Sequence, residues 1–288
     1  MNWLHILFMC ELYVMLALSA NLLSGYTGLL SFSNAAFYGL GAYVTTLSMK
    51  ALGLNYFLSL LIAIGFNVLV SLIVTFFSTR LKDLYFTLAT LAFQVVVFGL
   101  LYNWQKVTGG SYGISEIPTV KVFGHELSGT GELSVLGGVF AILIVSFFVF
   151  FQRTPFIRLL ECIRDRELGA VSLGKDIAHY KFICNSLAAA FTAIAGSLFA
   201  VYSGFIDPTS FTLSESILIV NMILIGGTGN LIGPLFGACF YVLLPQVMRL
   251  VPINSSQGAS LQMIVYSLIL ILVVRFRPNG FFGKFRFQ

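Results

Sequence analysis

The sequence predicts an all-α, polytopic membrane protein, and three observations carry that prediction. Hydrophobic residues make up 58% of the 288 and charged residues only 9%, against roughly 25% charged in soluble domains. Several uninterrupted apolar stretches reach the ~20 residues that cross a hydrocarbon core as a helix. Runs such as ILIVSFFVFF (142–151) do not alternate apolar with polar, so they are not strands of a transmembrane barrel. The expectation is a single membrane domain over 1–288 with about eight to ten transmembrane helices and Gly-rich broken segments.

The spans are expected at 3–23, 35–52, 54–78, 84–103, 134–151, 181–205, 214–227, 231–248 and 260–276. The N-terminal stretch has no basic n-region and carries Glu11 within its apolar run, so it reads as a retained first span and not a cleaved signal. The turn 79–83 holds Arg80 and Lys82, the loop 152–180 is strongly basic, and the tail holds Arg275, Arg277, Lys284 and Arg286. Basic residues collect in cytoplasmic loops, so these three are expected inside. The loop 104–133 has Lys106 and Lys121 against Glu116, Glu126 and Glu132, and 206–213 has only Asp207. Both are expected outside.

Net charge is 16 − 11 = +5, which the cytoplasmic loops explain without nucleic acid, since no basic stripe is interleaved with exposed aromatics. The cysteines at 10, 162, 184 and 239 lack metal-ligand spacing.

Two uncharged stretches, SGYTGLLSFSN (24–34) and GGTGNLIGP (226–234), are too polar for lipid-facing helix. Irregular backbone at membrane depth survives only where protein or a water-filled cavity satisfies it. Each is therefore a break inside the bundle or a tight turn at its surface. They resemble each other, Thr27–Tyr38 against Thr228–Tyr241, and paired broken helices point to a transport pathway. Gly28, Gly229, Asn34 and Asn221 are the candidate pathway residues. The plainer role for such glycines is close helix packing. For Asn21, Asn34, Asn67, Gln94, Asn185 and Asn221 it is interhelical hydrogen bonding. Glu11, alone among carboxylates deep in a span, is a functional suspect.

Ten of the 27 charged residues fall in 153–181. Thr154-Pro155 is a helix start and Gly174 a stop. Phe156, Leu159, Leu160 and Ile163 would make one apolar face, with Arg158, Glu161, Asp165 and Arg166 around it. Such a helix either seats in a groove on a partner protein or rests on the anionic inner leaflet. Four acids among its six bases count against pure attraction to lipid headgroups.

The segment NLLSGYTGLLSFSNAAFYGLGAY (21–43) resembles the permease subunits of branched-chain amino acid ABC importers, on the side of their M-type subunit. The resemblance continues through 153–181, AGSLFAVYSGFIDPTSF (195–211), ILIGGTGNLIGPLFGACFYVLLP (223–245) and RFRPNGFFG (275–283). It implies an ABC importer permease fold in the bacterial inner membrane, importing leucine, isoleucine and valine, or urea, amides or other amino acids. It implies a second homologous permease subunit, two cytoplasmic ATPase subunits and a periplasmic binding protein as partners. No cofactor of its own is implied, ATP being bound by the partners. In the family the central loop docks on the ATPase through an EAA-x-x-x-G-like element. The matching positions here are Leu168, Gly169, Ala170 and Gly174, with Leu where the general pattern has Glu and Glu167 one place earlier. The resemblance makes Arg158, Glu161, Arg164, Asp165, Glu167, Leu168, Gly169, Ala170 and Gly174 the ATPase-coupling candidates.

Two other classes compete. An ion-coupled secondary transporter would need a relay of intramembrane ionisable groups, where only Glu11 is offered. A membrane enzyme would need a catalytic constellation, and His5, His125 and His179 are scattered without one. The chain also lacks a GxxxxGK[ST] phosphate loop.

Overall fold

The computed structural model describes residues 3–78, 83–122, 125–127, 129–165, 170, 174–248, 265, 267–268, 271–272, 275–276 and 280–282. Its helices are α1 (Trp3–Ser24), α2 (Asn34–Leu52), α3 (Tyr56–Ser78), α4 (Asp83–Asn103) and a short α5 (Gln105–Thr108). They continue with α6 (Thr130–Phe151), α7 (Pro155–Asp165), α8 (Ile177–Ser203), α9 (Leu213–Gly226) and α10 (Ile232–Met248). A two-stranded hairpin, β1 (Val120–Val122) with β2 (His125–Leu127), decorates the loop before α6.

Five of these helices, α1, α3, α4, α6 and α8, are long and apolar enough to cross a membrane. The expected spans agree to within a few residues, although α6 and α8 start earlier, at Thr130 and Ile177. Both early starts have local causes. Glu132 sits in the first turn of α6 and accepts from the Gly129 N–H, and Asp176 caps α8 by accepting from the Ala178 N–H at 3.0 Å. The expected span 260–276 falls mostly outside the described residues, as does the basic turn 79–82.

Burial sorts the helices into centre and rim. In α1, 72% of the most apolar window is buried, against 28% in α4. Along α1 the buried run is continuous from Val14 to Ser24, so this helix is surrounded by others. The outer faces of α3 and α4 present Leu61, Leu69, Ile73, Leu88 and Val96, as lipid-facing surfaces do. Glycines let the central helices touch. A Cβ at Gly196 of α8 would lie 2.2 Å from the Tyr38 carbonyl oxygen of α2, and one at Gly41 would lie 2.6 Å from Ala193 Cα. Here the packing role expected of the glycines holds.

Contacts fix which end is which. At one end, the start of α1 meets the start of α6 through Ser134 Oγ donating to Leu4 O, and the end of α8 through His5 and Tyr202 at 2.8 Å. The hairpin loop lies at this end, where Ile114 pairs with Ile206. At the other end lies α7, whose Ile157, Leu160 and Ile163 are buried against the bundle. The buried stripe is thus 157, 160 and 163, with Phe156 and Leu159 at its margins. Thr154 does not turn toward α7; its hydroxyl donates back to the Phe151 carbonyl at 2.6 Å.

Candidate functional site

Two helices begin inside the bundle. After α1 ends at the α7 end, residues 25–33 climb without helix to the start of α2. Their backbone is satisfied by α4, where Thr87 Oγ1 donates to Leu30 O at 3.0 Å and Thr90 Oγ1 accepts from Phe32 N at 3.2 Å. The first stretch is therefore a break inside the bundle, permitted because protein supplies its hydrogen bonds.

The second such start lies in the expected outer loop 206–213. That segment enters from the hairpin end at Ile206 and then descends through a 3-10 turn, Pro208–Phe211. Phe211 is buried and packs against Tyr38, Tyr43 and Phe199. The correction has a physical cause. A helix of 14 residues such as α9 rises only about 21 Å, short of the ~30 Å hydrocarbon core, so the chain before it must go part-way in.

The two starts meet at mid-depth on Gln94, half-way along α4. Gln94 Nε2 donates to Phe211 O at 2.9 Å, and its Oε1 accepts from Ser216 Oγ at 3.3 Å. Ser216 Oγ in turn accepts from the Ala35 N–H of α2 at 2.9 Å. That N–H is a first-turn donor with no partner in its own helix. Beside this junction Tyr13, midway along α1, donates to Glu215 Oε1 at 2.9 Å. Sequence reasoning misses Gln94, Ser216 and Glu215 as a group because they are distant along the chain. Only the short length of α9 announces them.

At the α7 end the second Gly-rich stretch is a tight turn, the other of the two expected forms. Asn21 holds it, donating from Nδ2 to Asn230 O at 2.8 Å and accepting at Oδ1 from Gly229 N at 3.1 Å. Gly233 N donates to Asn230 Oδ1 at 2.7 Å. The C-terminal residues 280–282 close over it, with Phe281 N donating to Ile225 O and Phe282 N to Gly226 O. Asn230 Nδ2 also donates to Phe282 O.

The candidate residues separate accordingly. Asn34 lies at the mid-depth start of α2, its Nδ2 donating to Ser31 O at 3.3 Å. Gly28, at φ +77°, and Gly229, at φ +78°, lie instead at the α7 end. Asn221 opens on a groove between α9 and α10 with Leu218, Ile225, Phe240 and Tyr241. Of the coupling candidates, Arg158 and Asp165 are exposed and Glu161 half-buried. Ala170 is buried and its carbonyl accepts from Lys175 N, while Gly174 adopts φ +71°. Glu167, Leu168 and Gly169 lie outside the described residues. Arg164 turns inward: its side chain is 8% exposed, and Nη1 donates to Gly25 O at 2.9 Å.

Of the remaining polar groups singled out in the sequence, one joins two helices. Asn185 of α8 donates to Thr75 Oγ1 at 2.6 Å and Ser71 O at 3.3 Å on α3. Asn67 donates to Ala63 O in its own helix. Glu11 packs against Gly137 and Gly138 of α6, and its Oε2 is buried without a partner among the described residues. Cys10 of α1 and Cys239 of α10, remote in sequence, lie near each other, and neither is in a disulfide. The run GAVSLGKD (169–176) has the spacing of a phosphate loop except for its last residue. Asp176 stands where a hydroxyl would ligate Mg²⁺, and it is occupied as the cap of α8.

Comparison with known proteins finds relatives along almost the whole chain. Residues 2–274 match the family profile described as branched-chain amino acid transport system / permease component. The chain is 30% identical over 295 residues to the high-affinity branched-chain amino acid transport system permease protein LivM of Salmonella typhimurium, covering 94% of this chain and 68% of that one. It is likewise 30% identical to LivM of Escherichia coli, covering 93% and 67%. The probable LivM of Methanocaldococcus jannaschii is 25% identical, covering 93% and 90%. No solved structure matches. The broken helices, the lipid-facing rim and a match along almost the whole sequence lead to one assignment: the chain belongs to the branched-chain amino acid transport permease family and is a multi-pass membrane transport protein.

Proposed function

We propose that this chain is the permease subunit of an ATP-driven importer that carries leucine, isoleucine and valine inward across the bacterial inner membrane. One observation carries the reading. The family match spans residues 2–274 and so includes both discontinuous helices and α7. The mid-depth junction of α2 and α9 is where a polar solute would be handled, since transporters place such sites at half-helix starts near the midplane. The second homologous permease would cover the outer face of α9, where Asn221 has an amide to satisfy. Two cytoplasmic ATPases would dock on α7 through Arg158, Glu161 and Asp165, and the periplasmic binding protein would approach the hairpin end. The chain is one membrane domain without a nucleotide site of its own, and ATP is bound by its partners.

The name LivM of the relatives supports the substrate class. Uptake of labelled leucine and labelled urea, in cells with and without the gene, tests it. Loss of leucine uptake on deletion, with urea uptake intact, is the expected result. Loss of urea uptake alone would replace the substrate. Leucine uptake by this chain without any ATPase would make it a secondary transporter.

A further inference from the structure

Arg164 belongs to the coupling helix by sequence but to the membrane bundle by contact. It follows Ile157, Leu160 and Ile163 on the buried side of α7. Its guanidinium reaches the Gly25 carbonyl at 2.9 Å, just beyond the end of α1. The last carbonyls of a helix are unpaired and carry the negative end of its dipole, so a cation is favoured there. The aliphatic part of the same side chain lies on Gly28, where an added Cβ would come 2.8 Å from Arg164 Cγ. Nε meanwhile donates to Asp165 Oδ1 at 3.0 Å, and Asp165 is 60% exposed at its side chain. One residue thus touches the outward charge of α7 and two points of the 25–33 break.

That break ends at the Ala35–Ser216–Gln94 junction. It begins at Gly25, whose N–H donates to Asn21 O, while Asn21 Oδ1 holds Gly229 N. A shift of α7 therefore pulls on a segment with one end at mid-depth and the other on the α9–α10 turn. We propose that Arg164 is a positioning residue that converts displacement of α7 into movement of the 25–33 segment, and is not itself an ATPase contact. The proposal rests on the importer reading above. A guanidinium suits the task, because it can hold a carbonyl and a carboxylate at once in a fixed fork, whereas an ammonium offers one mobile point.

The test uses the complete complex, with the second permease and both ATPases, carrying Leu30→Cys in a background without the four native cysteines. Maleimide labelling of the thiol introduced at position 30 is followed without nucleotide and with trapped ATP. With Arg164 present, the labelling rate should differ between the two states. Arg164→Ala should reduce that difference by about tenfold, Arg164→Lys should restore part of it, and the ATPases should co-purify in both. The exposed variant Arg153→Ala, between α6 and α7 and outside the proposed docking set, should retain most of the difference. An unchanged nucleotide response in Arg164→Ala overturns the proposal, and so does loss of the ATPases from that variant alone, which would make Arg164 a docking contact. No nucleotide response in the parent complex also overturns it. Failure of the ATPases to co-purify even with Arg164 present would instead refute the importer reading.

Discussion

The glycine-rich stretch at 25–33 and the one at 227–231 share a TGLL/TGNL pattern and meet at Asn21. The first nevertheless carries the chain half-way through the bundle, while the second only reverses it at one end. The difference lies in where each finds its hydrogen bonds. In the first, Leu30 and Phe32 find their partners on Thr87 and Thr90, one turn apart on α4, so the extended chain follows that helix inward. The second stretch is satisfied by Asn21, its own Asn230 and the C-terminal Phe282, all at the α7 end. Similar glycines supply similar freedom, and the neighbours decide its use.

The largest effect should come from closing the second turn. A Cβ at Gly226 would lie 1.9 Å from the Gly233 carbonyl oxygen, a backbone atom that cannot swing aside. Gly226→Ala should therefore cost about 3 kcal/mol or more and show as loss of folded protein after detergent extraction. Gln94→Leu comes next. It leaves the Phe211 carbonyl without its donor and Ser216 without its acceptor, which should cost about 1–3 kcal/mol. Thermal unfolding of the purified protein reads that loss, and transport should fall with it.

Gly28→Ala is smaller in stability and sharper in meaning. The position has φ +77°, and the nearest atoms belong to the flexible Arg164 side chain, so about 1 kcal/mol of strain is expected. Because the new methyl displaces Arg164, substrate moved per ATP hydrolysed should drop more than the unfolding temperature does. An unfolding temperature lowered with normal stoichiometry would make the first break a passive strut.

The smallest effect lies in the hairpin. Lys121 pairs with Glu126 at 2.7 Å and holds its carboxyl below the usual range. Such a depressed group stabilises the fold above its unfolded-state value and loses that contribution as pH falls through its folded value. Both side chains are more than half exposed, and solvent screens the pair. Glu126→Gln should leave the unfolding temperature and its acid dependence unchanged, whereas the bundle variants should lower the unfolding temperature.

Much of this was legible in the sequence. Apolar length located the spans, because crossing a membrane is a requirement on consecutive residues. Burial of Gln94 and Asn185 with partners followed from the cost of an unpaired amide in hydrocarbon. The descent of 206–212 was not legible from its charge, since Asp207 alone made it look like an outer loop. Phe211 and the shortness of α9 were the available signals. The inward turn of Arg164 was not legible for a related reason. A base in a charged loop looks solvated, and only its place behind Ile157 and Leu160 in the helical period marked the buried face. The substrate left no local trace of that kind, because no single stretch forms the mid-depth junction.

The central claim is that transport by this chain is inward and driven by ATP acting at the α7 end. The most direct measurement is leucine uptake into proteoliposomes holding the complete complex and the binding protein, with ATP supplied on one side at a time. Transport should occur only when ATP faces the α7 end, and leucine should accumulate on that same side. Equal transport without ATP, or leucine moving away from the nucleotide side, would contradict it.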